Sequence, residues 1–138
     1  MAETLDFELV SPARLLISEP VEMVVVPGTE GAFGVLPLHA PTLSTLRPGF
    51  IDVYKDGAVA ERYFVTGGFA EVTRTTCTVL VDEAIPGAQA NRQYAADQLS
   101  KAQAALAQAS DEAAKTSATA ALAAAEVVVE TIAREVGA

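Results

Sequence analysis

Cysteine and histidine each occur once, as Cys77 and His39, and nine Lys and Arg face eighteen Asp and Glu. One thiol excludes an internal disulfide and a cysteine-rich zinc site. Cys77 lies in an alternating strand pattern, which predicts a buried, inert thiol. The lone imidazole sits between Pro-Leu and Ala-Pro, with no cysteine near it to share a metal. It is expected to bond turn carbonyls, and no Ser-His-Asp set can be built around it. A formal charge of −9 argues against nucleic acid or an anionic lipid surface as the main partner. No apolar stretch reaches the roughly 20 residues that span a bilayer. The segment Met-Ala-Glu-Thr-Leu-Asp-Phe has neither a basic region nor an apolar signal core. The expectation is a soluble protein that stays where it is made, with no lipid insertion, cofactor, metal or catalytic residue.

What is present divides in two. At 138 residues, 51% hydrophobic, the chain suffices for one domain, or a small domain plus an appendage. Residues 1–86 have period-two apolarity, as at Leu5, Phe7 and Leu9, then Val53, Tyr63, Val65, Val72, Val79 and Val81. Turn signals recur at Ser11-Pro12, Glu19-Pro20, Pro27-Gly28, Pro48-Gly49 and Gly67-Gly68. Asp56-Gly57 between two alternating runs marks a hairpin. Many short strands so punctuated predict an antiparallel β-sandwich of about ten strands. The carboxylates Glu3, Asp6, Glu8, Glu19, Glu22 and Glu30 alternate with apolar neighbours, as on a solvated strand face.

Residues 87–138 change to alanine, glutamine, glutamate and lysine, with no Gly or Pro between Asn91 and Val136. Alanine is the best helix former, so helix is expected throughout. Ala95, Leu99, Ala102, Leu106 and Ala109 step by four and three, as do Ala118, Leu122, Ala125, Val129, Ile132 and Val136. These are two seams of an antiparallel helical hairpin, with the break expected within Ser110–Ser117 and a single long helix as the alternative. Burying a leucine contributes about 1.5–3 kcal/mol and an alanine methyl about 0.8. The helices should therefore form readily and dock weakly, as a mobile or regulatory element would.

The densest local signal is Val26–Phe50, which holds four glycines, four prolines and His39. It reads as shaped turns joining short strands. Gly28-Thr29-Glu30-Gly31-Ala32-Phe33-Gly34 is no phosphate cradle, because it lacks the Gly-Lys-Ser/Thr end and precedes a strand instead of a helix.

The chain resembles, over almost its whole length, the epsilon subunits of bacterial F-type ATP synthases. The resemblance rests on Gly28–Pro41, Arg47-Pro48-Gly49, Thr66–Val72 and Thr78–Ile85, in that order. It implies a non-catalytic rotor subunit that binds the gamma subunit and the c ring, coupling proton flow to ATP synthesis. It also implies that Glu30, Gly31, Ala32 and Phe33, with His39 nearby, form the ring-facing end. In relatives the hairpin reaches the alpha/beta catalytic head and inhibits hydrolysis. Here Lys115 and Arg134 stand against Glu126, Glu130 and Glu135, so strong inhibition of an acidic partner is not expected. An ATP-sensing regulatory module of the same complex is the alternative. Relatives that bind ATP carry Ile/Leu-Asp-x-x-Arg-Ala, and the aligned Ala90, Asn91, Tyr94 and Ala95 lack both the aspartate and the arginine. An organelle precursor would carry an Arg- and Ser-rich leader, so the implied location is the cytoplasmic side of a bacterial inner membrane, peripherally bound.

Overall fold

The computed structural model describes residues 3–136, with side chains as far as Glu135. They form two compact units, the first ending at Gly87 and the second beginning at Ala88. The first holds β1 (Leu5–Ser11), β2 (Arg14–Val21), β3 (Met23–Gly28), β4 (Gly31–Val35) and β5 (Thr42–Leu46). It continues with β6 (Gly49–Lys55), β7 (Ala58–Val65), β8 (Gly68–Val72), β9 (Thr76–Val81) and β10 (Ala84–Pro86).

These ten strands make one sheet in the order β10-β7-β6-β3-β5-β8-β9-β1-β2, with β4 on β3. The sheet folds over at β3, which lies along β6 through Met23–Val25 yet reaches β5 only at Gly28↔Leu46. Leu5, Phe7, Leu9, Ala70, Val72 and Val79 of one layer and Val24, Val26, Ile51, Val53 and Val65 of the other are essentially excluded from water. Each large aliphatic or aromatic side chain so buried contributes about 1.5–3 kcal/mol. The sandwich is not wholly antiparallel. β1 pairs β9 in parallel from Asp6↔Thr76 to Val10↔Leu80, a pairing of strands far apart in the chain that no local turn signal announces.

The turn chemistry is visible in the backbone. Asp56 and Gly57 both take positive φ (54° and 80°) between β6 and β7, as a two-residue primed turn requires. Gly68 has φ 143°, and a Cβ there would lie 2.0 Å from the Leu80 carbonyl oxygen, so only glycine fits this corner.

A 3₁₀ turn at Gly87–Gln89 leads into the second unit, which holds α1 (Arg92–Gln108) and α2 (Glu112–Val136). Ala95, Ala96 and Leu99 at the start of α1 face Val129, Ile132 and Ala133 near the end of α2, which makes the pair antiparallel. The break falls at Ala109–Asp111, at the front of the expected window. The reason is Asp111, whose Oδ1 accepts from the Ala114 amide at 2.7 Å and caps α2. Most of the polar Ser110–Ser117 segment is therefore helix.

The expectation that no segment could span a bilayer needs revision. Among the described residues one helix, Glu112–Glu135, is long and apolar enough by length and composition. Nine residues of α2 are alanines, and its larger apolar ones are Leu122, Val127, Val128, Val129, Ile132 and Val136.

Candidate functional site

Three features of the first unit and one of the second concentrate the chemistry. The first is the tip of the β3–β4 hairpin. Gly28 and Gly31 form its last pair, which leaves Thr29 and Glu30 as the turn, and Gly31 takes φ 139°. The tip is tied to β5 by Thr29 N–H donating to the Thr45 carbonyl at 3.0 Å and by their hydroxyls at 2.9 Å. The Arg47 amide donates to the Pro27 carbonyl at 2.9 Å, so the turn is held at its base as well. Glu30 is exposed on this fixed mount.

His39 follows a second constrained turn. Leu38 has φ 69° and donates its amide to the Arg74 carbonyl at 2.8 Å. The His39 amide donates to the Leu36 carbonyl, and its Nδ1–H donates to the Ala40 carbonyl at 2.7 Å. The ring stands 6.4 Å from that of Phe33. Glu30, Gly31, Phe33 and His39 thus meet around one open depression of about 520 Å³, completed by Thr42–Thr45 of β5. Ala32 is exposed on the hairpin but does not line it. Sequence reasoning missed β5 here, because only the pairing of β3 with β5 brings Thr45 to Thr29.

The second feature is the outer face of the β5-β8-β9-β1-β2 layer. Register aligns Thr45, Phe69, Leu80, Val10 and Leu15 in one row across five strands. Phe69, Leu80 and Leu15 are each about half exposed, and Leu43 beside the row is 72% exposed. The adjacent row runs Leu43, Glu71, Thr78, Glu8 and Ser18, with Thr78 Oγ1 donating to Glu8 Oε1 at 3.1 Å. An apolar stripe crossing four strands and bordered by carboxylates is an unusual amount of exposed hydrocarbon for a free surface.

The third is a polar cluster spanning the two layers. Lys55 Nζ of β6 donates at 2.8 Å both to Glu19 Oε2 of β2 and to Glu61 Oε1 of β7. Tyr63 O–H donates to Glu61 Oε2 at 2.5 Å. The Lys55 ammonium, then the Tyr63 hydroxyl, pull the Glu61 carboxyl down to about 2, and the two carboxylates raise Lys55. Burial, then the Glu61 carboxylate, raises Tyr63. Glu19 therefore does not belong to a solvated face: it lies opposite Phe7 and shares the inward parity of Val21. That parity was the available signal.

No group of three His, Cys, Asp or Glu that could hold a metal occurs among the described residues. Cys77 is buried and its thiol is pushed up to about 12 by that burial, so it is no nucleophile.

In the second unit Ala95, Ala102, Ala125 and Ile132 are buried and Leu99, Leu106, Leu122 and Val129 half-buried. Ala118, Val128 and Thr131 are buried too, the last two outside the expected seam, and the Val136 side chain lies outside the described residues. Of the residues aligned with the ATP motif, Asn91 caps α1, its Oδ1 accepting from the Tyr94 amide at 3.0 Å. Ala90 and Ala95 are buried and Tyr94 half-buried. The adjoining groove of about 310 Å³ is apolar apart from Arg92.

Residues 4–87 match the family described as ATP synthase, Delta/Epsilon chain, beta-sandwich domain. The ATP synthase epsilon chain of Rhodospirillum rubrum is 61% identical over 109 residues, covering 74% of this chain and 81% of that one. The epsilon chain of Paramagnetospirillum magneticum is 53% identical over 106 residues, 77% of this chain and 80% of that one. A chain in the cryo-EM structure of the Euglena gracilis mitochondrial ATP synthase, OSCP/F1/c-ring in rotational state 1, superposes with a TM-score of 0.66 at 30% identity, covering 89% of this chain and 78% of that one. With the sandwich domain matched from end to end and bacterial epsilon chains more than half identical over three quarters of its length, the chain belongs to the ATP synthase delta/epsilon family.

Proposed function

We propose that the chain is a non-catalytic rotor subunit of the central stalk of a proton-translocating F-type ATP synthase, coupling flow through the c ring to ATP synthesis. One observation carries this reading: 61% identity to an ATP synthase epsilon chain across 81% of that chain. The absence of any role in bond-making agrees with an inert Cys77 and a histidine engaged with a turn carbonyl.

The hairpin tip is the ring-facing end. Its backbone is fixed before contact by bonds to β5, so little conformational entropy is lost on docking, and Glu30 presents an exposed charge there. The stripe Phe69-Leu80-Val10-Leu15, with Leu43, takes the gamma subunit, whose contact would shield that hydrocarbon from water. The alanine-seamed hairpin contributes a regulatory contact to the alpha/beta head. It does not sense ATP: Asn91 is committed to a helix cap and Arg92 alone offers a cation. The assembly lies on the cytoplasmic side of a bacterial inner membrane, held there by its protein partners.

The test is ATP-driven proton pumping in inverted membrane vesicles whose own epsilon chain is replaced by this one. Glu30→Arg and Ala32→Trp should at least halve pumping while ATP hydrolysis continues, and His39→Ala should do so less. Coupled pumping equal to that of the parent chain in all three would remove the ring-contact assignment.

A further inference from the structure

Strand β5 belongs to two surfaces at once. Thr45 heads the row that runs through Phe69, Leu80, Val10 and Leu15, and Leu43 heads the row beside it. The same two residues, with Thr42 and Ser44, form one wall of the depression that Glu30, Phe33 and His39 also line. β5 anchors both turns of that depression as well. Thr45 holds the Glu30 turn through its carbonyl and hydroxyl bonds to Thr29. Thr42 Oγ1 donates at 2.9 Å to the Ala40 carbonyl, which also accepts from His39 Nδ1–H. Between these two anchors Leu43 is 72% exposed, more than Phe69, Leu80 or Leu15. The depression therefore meets the apolar stripe at a leucine open to water.

We infer that the two surfaces are one, and that a gamma subunit bound along the stripe covers Leu43 and so completes the depression for the c ring. This rests on the rotor reading above and adds an order to it: gamma engages first and the ring second. Continuity carries the inference, because a partner that shields Phe69 and Leu80 reaches Thr45 and Leu43 by following the same two rows. Covering Leu43 withdraws its hydrocarbon from water and leaves a ring loop a deeper, drier recess, where the charge of Glu30 acts more strongly. Because β5 ties both turns to the rows, that recess has its shape before the ring arrives. The coupling is reciprocal, so the factor by which gamma strengthens the ring contact is the factor by which the ring strengthens gamma. Other residues stay on one side only. Glu30 lies on the β3–β4 turn, off the rows, and Leu80 lies on β9, two strands from β5 and outside the depression.

The test is a pair of affinities of the full chain: for the purified cognate gamma subunit and, at saturating gamma, for the detergent-solubilised cognate c ring. Leu43→Ser should weaken both at least tenfold with an unmoved thermal midpoint, and Leu43→Met should keep both within threefold of the parent. Leu80→Ser should weaken binding to gamma alone, and Glu30→Gln binding to the ring alone. A Leu43→Ser chain that loses only one affinity, or neither, would overturn the inference and leave the rotor reading standing. A parent chain that binds neither partner would overturn both.

Discussion

The sandwich and the hairpin bury side chains by different means. The sandwich core is built of phenylalanine, leucine, isoleucine and valine taken wholly out of water. The hairpin seam is largely alanine, with its leucines only half-buried. Per buried residue the sandwich gains two to three times as much hydrocarbon transfer energy. Helix propensity and caps at Asn91 and Asp111 instead hold the second unit's elements together. A body that transmits torque needs the first construction, and an element that changes contacts can use the second.

Mutations can break this contrast in order of expected size. Phe7→Ala, at the centre of the sandwich core, should cost about 3–5 kcal/mol in denaturant unfolding, because a large cavity opens between two sheet layers. Leu99→Ala in the half-buried seam should cost only about 1–2 kcal/mol and should leave the sandwich transition unmoved. Equal losses in the two would erase the distinction.

Lys55→Met should lower the thermal midpoint of the sandwich, since it leaves Glu19 and Glu61 facing each other across the layers without their shared cation. Acid should probe the same cluster. The folded Glu61 carboxyl is lowered from 4.5 to about 2, so its contribution is complete above pH 4.5 and is lost as pH falls through 2. In thermal melts Glu61→Gln should therefore flatten the loss of stability over that window. A melt profile parallel to the parent between pH 4.5 and 2 would mean the pairing contributes nothing. Smallest of all, Asn91→Ala should remove about 1 kcal/mol from α1 alone, seen as faster hydrogen exchange in its first turn.

How far the sequence reveals this molecule depends on how local each feature is. Period-two runs and paired Gly or Asp-Gly turns are encoded over a few residues, and the ten strands follow from them. Alanine content likewise announces both helices. The parallel β1–β9 pair and the Glu19–Lys55 bond join positions 70 and 36 residues apart, as Glu8↔Thr78 and Lys55–Glu19, and no window sees them. Glu30 and His39 stand out in a run dense in Gly and Pro, whereas Thr42–Thr45 is an ordinary strand until β3 turns beside it. The apolar stripe was hidden for a related reason. Phe69 and Leu80 each look like one exposed residue, and only register sets them in a row.

The central claim is that the rigid unit docks and couples while the alanine hairpin only modulates. The most direct measurement is ATP-driven proton pumping in epsilon-replaced vesicles carrying either the full chain or residues 1–87. Coupling should be restored to the same ratio of protons moved to ATP hydrolysed by both. Pumping that returns only with the full chain would contradict the account and assign coupling to the hairpin.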